Sequence, residues 1–153
     1  RPNIVETTIL EYLNLSNASG DSSDVVAALK LVGLFERAAM LPEGLQTPLS
    51  STGWPLSLPK TMQLKLAAAI LSKPRILVLA PLLDMVSLHR MEAVFRHLSS
   101  SKTTVIYFSN RPEDVTLDGF LWVGREYQEI LDSRQEFDRL RSKVGKGPAL
   151  VTA

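Results

Sequence analysis

The sequence contains no cysteine, which removes disulfides, thiolate metal sites and cysteine nucleophiles from consideration. Histidine is almost as scarce. His89 and His97 stand eight residues apart on one expected helix and are read as surface residues, so a zinc triad would depend heavily on carboxylates. No apolar run approaches the roughly 20 residues that cross a bilayer. The longest candidate, Ile76 to Leu83, is strand-sized and contains Pro81. No charged, then apolar, then small-residue start resembles a signal peptide. Charge of one sign is lacking too: 17 Lys and Arg against 16 Asp and Glu leave +1, so no global field recruits nucleic acid. The chain also lacks an initiator Met, and the start Arg1-Pro2-Asn3 suggests a piece of a longer polypeptide.

What is present fits a folded domain. Hydrophobic residues make up 45% of 153 positions and charged residues 22%, enough to build a core and against disorder. The charge is unevenly spread. Residues 1–58 hold three basic and six acidic groups, residues 59–112 eight and two, and residues 113–153 six and eight. The basic middle third reads either as a solvated helical face or as a phosphate-binding stripe.

The N-terminal third reads as helical. Thr7-Thr8 can cap a short helix through Leu15, and Ser22-Ser23-Asp24 can cap another whose Val25, Ala28, Leu29 and Val32 follow helical spacing until Gly33. A helical turn from Leu34 to Met40 leads into the loop Leu41-Pro42-Glu43-Gly44. Irregular structure around Leu49 and Trp54 precedes a helix that starts at Ser57, with Pro59 in its first turn, and ends before Pro74. Trp54 and Trp122 are expected to pack inside. Ile76 to Leu79 is a short continuous apolar run, the pattern of a strand covered on both faces in a parallel sheet. An amphipathic helix from Ser87 to Leu98 and a strand from Thr103 to Phe108 complete a βαβ unit, which should cross over right-handed. Gly119 to Val123 reads as a third strand and Arg134 to Lys143 as a helix, with fraying expected from Gly145 onward.

Order and spacing of several short segments resemble the nucleotide-binding domain of an ABC transporter of exporter type, over its C-terminal two thirds. Thr8-Ile9-Leu10-Glu11-Tyr12-Leu13 is similar to the TIxENI stretch, and Leu41-Pro42-Glu43-Gly44-Leu45-Gln46-Thr47 to the LPxGLxT run. Leu56-Ser57-Leu58-Pro59-Lys60 falls where the family has its LSGGQ signature. Ile76-Leu77-Val78-Leu79-Ala80-Pro81 falls at the Walker B strand and its LDE end, and Thr104 to Arg111 at the strand that ends in the switch histidine. The resemblance extends from Pro2 to about Arg141. It implies an α/β fold: a partial P-loop NTPase core sheet without its Walker A strand, plus an α-helical subdomain. Residues 1–72 would form the helical subdomain, 73–141 the partial α/β core and 142–153 a flexible tail.

The resemblance also implies what is missing. The P-loop that cradles phosphates, the aromatic that stacks on adenine and the Q-loop glutamine would precede residue 1. ATP and Mg²⁺ belong to the intact family, and neither is expected on this fragment. Ala80 and Pro81 occupy the positions of the Walker B carboxylates, which hold Mg²⁺ and polarise water. Asn110 replaces the switch histidine and Ser87 the D-loop acid, while Leu58 and Pro59 replace two signature glycines. Losing one preorganised electrostatic group costs roughly 10²- to 10³-fold in rate, so no hydrolysis is expected at this Walker B side.

Other positions keep two readings. Ser57 is a helix N-cap or a ligand of a partner's nucleotide; Lys60 is a solvated cation or a phosphate contact in trans. Asp84 is a loop residue or a displaced catalytic acid, and Arg111 is scaffold more than sensor. Thr8, Ile9, Glu11 and Tyr12 fall where the family meets the coupling helices of its transmembrane domain. Three functions follow from the resemblance: a degenerate transport domain at the cytoplasmic face of a membrane, working with a transmembrane domain and a second nucleotide-binding domain; a scaffold that no longer meets nucleotide; or an active ATPase with an unusual acid. Without a Walker A strand the sheet should have a gap between its last two strands. Direct pairing of those strands, rearrangement or another chain, including a second copy, would close it.

Overall fold

The computed structural model describes residues 3–111, 115–123, 127–144 and 150–152. The chain divides into two compact units, Arg1–Pro74 with Met85–Val94, and Arg75–Asp84 with Phe95–Ala153. Residues 85–94 thus group with the N-terminal helices.

The first unit is helical. Helix α1, Ile9–Asn14, starts at Thr8 with a capping box: Thr8 Oγ1 accepts from the Glu11 amide, and the Glu11 carboxylate accepts from the Thr8 amide. Helix α2, Ser22–Val32, is capped by Asp21, whose Oδ1 accepts from the Ser23 amide at 2.8 Å. Gly33 closes α2 in the left-handed conformation at φ 72°, a region that favours glycine. Arg90 lies against it, since a Cβ at Gly33 would come within 2.5 Å of Arg90 Nε. Helix α3, Phe35–Ala39, follows at once. Helix α4, Leu58–Leu71, is the buried centre of the unit: Thr61, Met62, Gln63, Leu64, Leu66 and Ala67 are all buried. Gln63 Nε2 donates to the Val32 carbonyl at 2.6 Å and so ties α4 to the end of α2.

The second unit is a five-stranded sheet in the order β1-β2-β5-β3-β4. Strands β1, Ile76–Leu79, and β2, Thr104–Phe108, are parallel, with Ile76 opposite Thr104 and Leu79 opposite Tyr107. Helix α5, Leu88–Ser100, joins them, its first residues belonging to the first unit and its last to the second. Strand β3, Gly119–Val123, has the expected bounds, and β4, Gln128–Leu131, pairs antiparallel with it. Helix α6, Arg134–Val144, covers β3: Phe137 packs with its ring centroid 5.7 Å from Phe120 and 5.9 Å from Trp122.

Strands β2 and β3 do not pair directly. Strand β5, Leu150–Thr152, lies between β2 and β3 and pairs antiparallel with both. Residues 150–152, read from sequence as part of a fraying tail, are therefore a strand. Residues 145–149 and 153 lie outside the described residues.

Strand β1 is not covered on both faces. It is an edge strand, with Ile76 64% and Val78 59% exposed, whereas Leu79 is buried. Residues opposite in register share a face, so Leu79, Tyr107, Phe120 and Leu131 mark the covered side. There the Phe95 ring of α5 stacks 5.5 Å from Tyr107 and α6 packs on β3. The other side, with Ile76, Val78 and Ile130, has no helix on it among the described residues.

Candidate functional site

The ends of β1 and β2 carry a dense polar cluster, because parallel strands deliver their following loops to one edge of the sheet. After Leu79 the chain makes a 3-10 turn, Pro81–Met85, in which the Leu83 amide donates to the Ala80 carbonyl at 3.0 Å. That turn brings Asp84 under the end of β2. Along β2 and beyond, Val105, Tyr107, Ser109 and Arg111 point inward at every second position and all are buried.

Three hydrogen-bond donors and one ion pair converge on the Asp84 carboxylate. Tyr107 Oη donates to Oδ1, Ser109 Oγ donates to Oδ1 at 2.9 Å, and the Asn110 amide donates to Oδ2 at 2.8 Å. Arg111 Nε stands 3.5 Å from Oδ1. Arg111 also donates from Nε to Tyr107 Oη at 3.2 Å, and from Nη2 to the carbonyls of Leu83 at 3.2 Å and Asp84 at 2.7 Å. Arg134 Nη2 then donates to the Arg111 carbonyl at 3.1 Å, joining α6 to the network. Burial, seconded by the hydrogen bond to Asp84, raises the Tyr107 hydroxyl above its ordinary 10.0 and keeps it a donor.

This arrangement bears directly on metal binding. A carboxylate offers about four lone-pair sites, and at Asp84 three hydrogen bonds from protein donors already fall on them. Ala80 and Pro81 present no side-chain oxygen. A hard divalent cation needs several oxygens with lone pairs to spare, so these residues do not fit a Walker B metal site. No group of three or more His, Cys, Asp or Glu residues suited to a metal ion occurs among the described residues.

The signature position, in the first unit, is the N-terminus of α4. Ser57 is the N-cap by backbone geometry, but its hydroxyl makes no capping bond. Ser57, Leu58 and Pro59 are exposed and Lys60 is half-buried. The preceding loop is tight: Gly53, at φ 89°, packs on Thr61, whose buried hydroxyl has no hydrogen-bond partner. Trp54 is 71% exposed, contrary to the packing expected of it, and it is the neighbouring Gly53 that lies buried against Thr61. Trp122 is buried as expected.

Among the other positions, Ser87 is exposed and its carbonyl accepts from the Arg90 and Met91 amides at the start of α5. Asn110 is exposed and bound through its amide. His89 and His97 are both exposed. The segment expected to face a partner divides: Glu11 is exposed and Thr8 and Tyr12 are half-buried, but Ile9 is 0% exposed. Ile9 sits on the inward face of α1 with Leu13, one turn apart, and belongs to the core. Hydrogen bonds from Thr7 and then from the Thr8 amide hold the Glu11 carboxyl below its ordinary range.

Sequence reasoning missed the network around Asp84 as a unit. The signal was there, in the period-two spacing of Tyr107, Ser109 and Arg111 on one strand, but the partner that makes them polar together comes from a turn more than twenty positions away.

No family model matches the chain. Its relatives, at modest identity, are ATP-binding proteins of ABC transporters. It is 32% identical over 114 residues to the ABC-type transporter kk1G of Curvularia clavata, covering 72% of this chain and 8% of that protein. It is 29% identical over 102 residues to the cyclolysin secretion/processing ATP-binding protein CyaB of Bordetella pertussis, covering 65% and 14%. With the transport ATP-binding protein AarD of Providencia stuartii it shares 28% over 125 residues, covering 80% and 21%. The chain thus spans between 8% and 21% of the length of these curated relatives. Among solved structures, a bacterial Atm1-family ABC exporter with ATP bound matches at a TM-score of 0.57 and 16% identity, covering 69% of this chain and 22% of that one. That likeness is one of fold. No helix among the described residues is long and apolar enough to cross a membrane.

Proposed function

We propose that this chain is part of the ATP-binding domain of an exporter-type ABC transporter, one whose Walker B, D-loop and switch positions no longer support hydrolysis. In this reading it works at the cytoplasmic face of the membrane. It couples a transmembrane domain, through Thr8, Glu11 and Tyr12, to a second nucleotide-binding domain, and presents Ser57 and Lys60 to ATP held there. The supporting observation is the commitment of Asp84 to three hydrogen-bond donors and the Arg111 guanidinium, while Ala80 and Pro81 offer no side-chain ligand. The acid that would rescue hydrolysis is thereby engaged in holding β1 to β2.

The test uses the full polypeptide that carries this chain. ATP is expected to increase its association with an ATP-loaded nucleotide-binding domain, and Asp84→Asn is expected to leave ATP turnover within about twofold. Loss of turnover in a variant that still folds would instead make Asp84 a catalytic acid. Absence of any ATP-dependent association would favour a second reading, a scaffold that does not engage nucleotide. That reading is supported by Pro59, which removes one N–H from the first turn of α4, and by Leu58, which places a side chain there.

A further inference from the structure

We propose that the β2–β3 slot is a strand-acceptor site, filled within the chain by Leu150–Thr152, and that a second copy of the chain fills it in trans by exchanging the same strand. The slot is defined by register. Ile106, Tyr107 and Phe108 of β2 face Thr152, Val151 and Leu150, and the same three residues face Gly119, Phe120 and Leu121 of β3. The two neighbours of β5 therefore run parallel to each other, and β5 runs against both.

Two features make this strand exchangeable. It is three residues long, so its opening breaks few backbone hydrogen bonds and lies at the low end of local stability. When it leaves, β2 and β3 each expose an unpaired edge, the strongest template a sheet offers for another extended segment. The segment that fits best is an identical one, because exchange reproduces every contact of the closed form and creates no new surface to optimise. Backbone pairing sets the register, with Val151 opposite both Tyr107 and Phe120. Tyr107 belongs both to this slot, through its backbone, and to the Asp84 network, through its hydroxyl.

The absence of cysteine permits a clean test. Gly119 and Thr152 are opposite each other in the ladder. A chain carrying both Gly119→Cys and Thr152→Cys, oxidised when dilute, is expected to form a disulfide within one chain. Equimolar Gly119→Cys and Thr152→Cys chains, mixed when concentrated and then oxidised, are expected to form the mixed disulfide dimer at least fivefold above a Gly119→Cys with Ser142→Cys control. Val151→Pro should abolish both products, since proline cannot serve within a central strand. Hydrogen exchange on the cysteine-free chain reads the same event: Val151→Pro should raise at least tenfold the exchange of those amides among 106–108 and 119–121 that point toward β5. Cross-linking of the mixed chains no greater than the control overturns the exchange. Unchanged amide exchange in a folded Val151→Pro chain overturns the slot itself.

Discussion

Arg111 and Asp84, 27 positions apart, are bound twice: Nε stands 3.5 Å from the Asp84 carboxylate while Nη2 donates to the Asp84 carbonyl at 2.7 Å. One guanidinium therefore grips both the side chain and the backbone of the turn after β1, and its own backbone sits just past β2. Such a fork suits arginine better than lysine, whose ammonium is a point charge on a flexible stem. The contact turns two strand ends into one rigid edge.

Truncating that fork should be costly. Arg111→Ala leaves a carboxylate with one fewer positive partner and two buried carbonyls short of a donor, and removing one member of a buried pair typically costs about 3 kcal/mol or more. Urea unfolding should show that loss at unchanged m-value, with Arg111→Lys between the two. A loss below about 1 kcal/mol would mean that water replaces the guanidinium without penalty.

Tyr107 ties the same edge to pH. Its hydroxyl titrates above 10.0 in the folded chain because burial, and then Asp84, disfavour the phenolate. The folded state thus holds the proton over a range where the unfolded chain has lost it. Its contribution is complete below pH 10 and falls as pH rises from there toward the folded value. Tyr107→Phe should flatten the alkaline decline in unfolding free energy measured between pH 9 and 11. A decline as steep as in the parent chain would assign it to other groups.

Much of this architecture is legible in the residues, and the limits of legibility have physical causes. Thr8 with Glu11, Gly33 and Pro74 mark helix ends by local chemistry, and the run Ile76 to Leu79 marks β1 by its apolar side chains. Strand β4 hides because Gln128 and Glu129 give it little apolar pattern. Strand β5 hides because what makes residues 150–152 extended is the slot between β2 and β3. That Ala80 and Pro81 carry no carboxylate can be read directly. That Asp84 is occupied cannot, since its donors are gathered by the parallel pairing of β1 and β2.

Gly53 controls the loop before α4. At φ 89° a side chain is strained, and a Cβ would come within 2.5 Å of Thr61 Oγ1, on a fully buried residue with no room to retreat. Gly53→Ala should therefore cost about 2 kcal/mol and shift the exposed Trp54, which lets indole fluorescence report the change. Adding Thr61→Ala should recover part of the loss by removing the hydroxyl. No recovery would place the cost in the backbone alone.

The uncovered face of the sheet makes the last prediction. Parallel strands usually carry helices on both faces, yet Ile76, Val78 and Ile130 are exposed, at 64%, 59% and 77%. Water already reaches these side chains in the folded chain, so their replacement removes little buried area. Ile76→Thr with Val78→Thr keeps β-branching and strand preference and should change unfolding free energy by less than about 1 kcal/mol. The same pair should reduce concentration-dependent light scattering, because exposed apolar surface is what drives association here. A loss above about 2 kcal/mol would show that both side chains are buried in solution, and that this face of the sheet is covered.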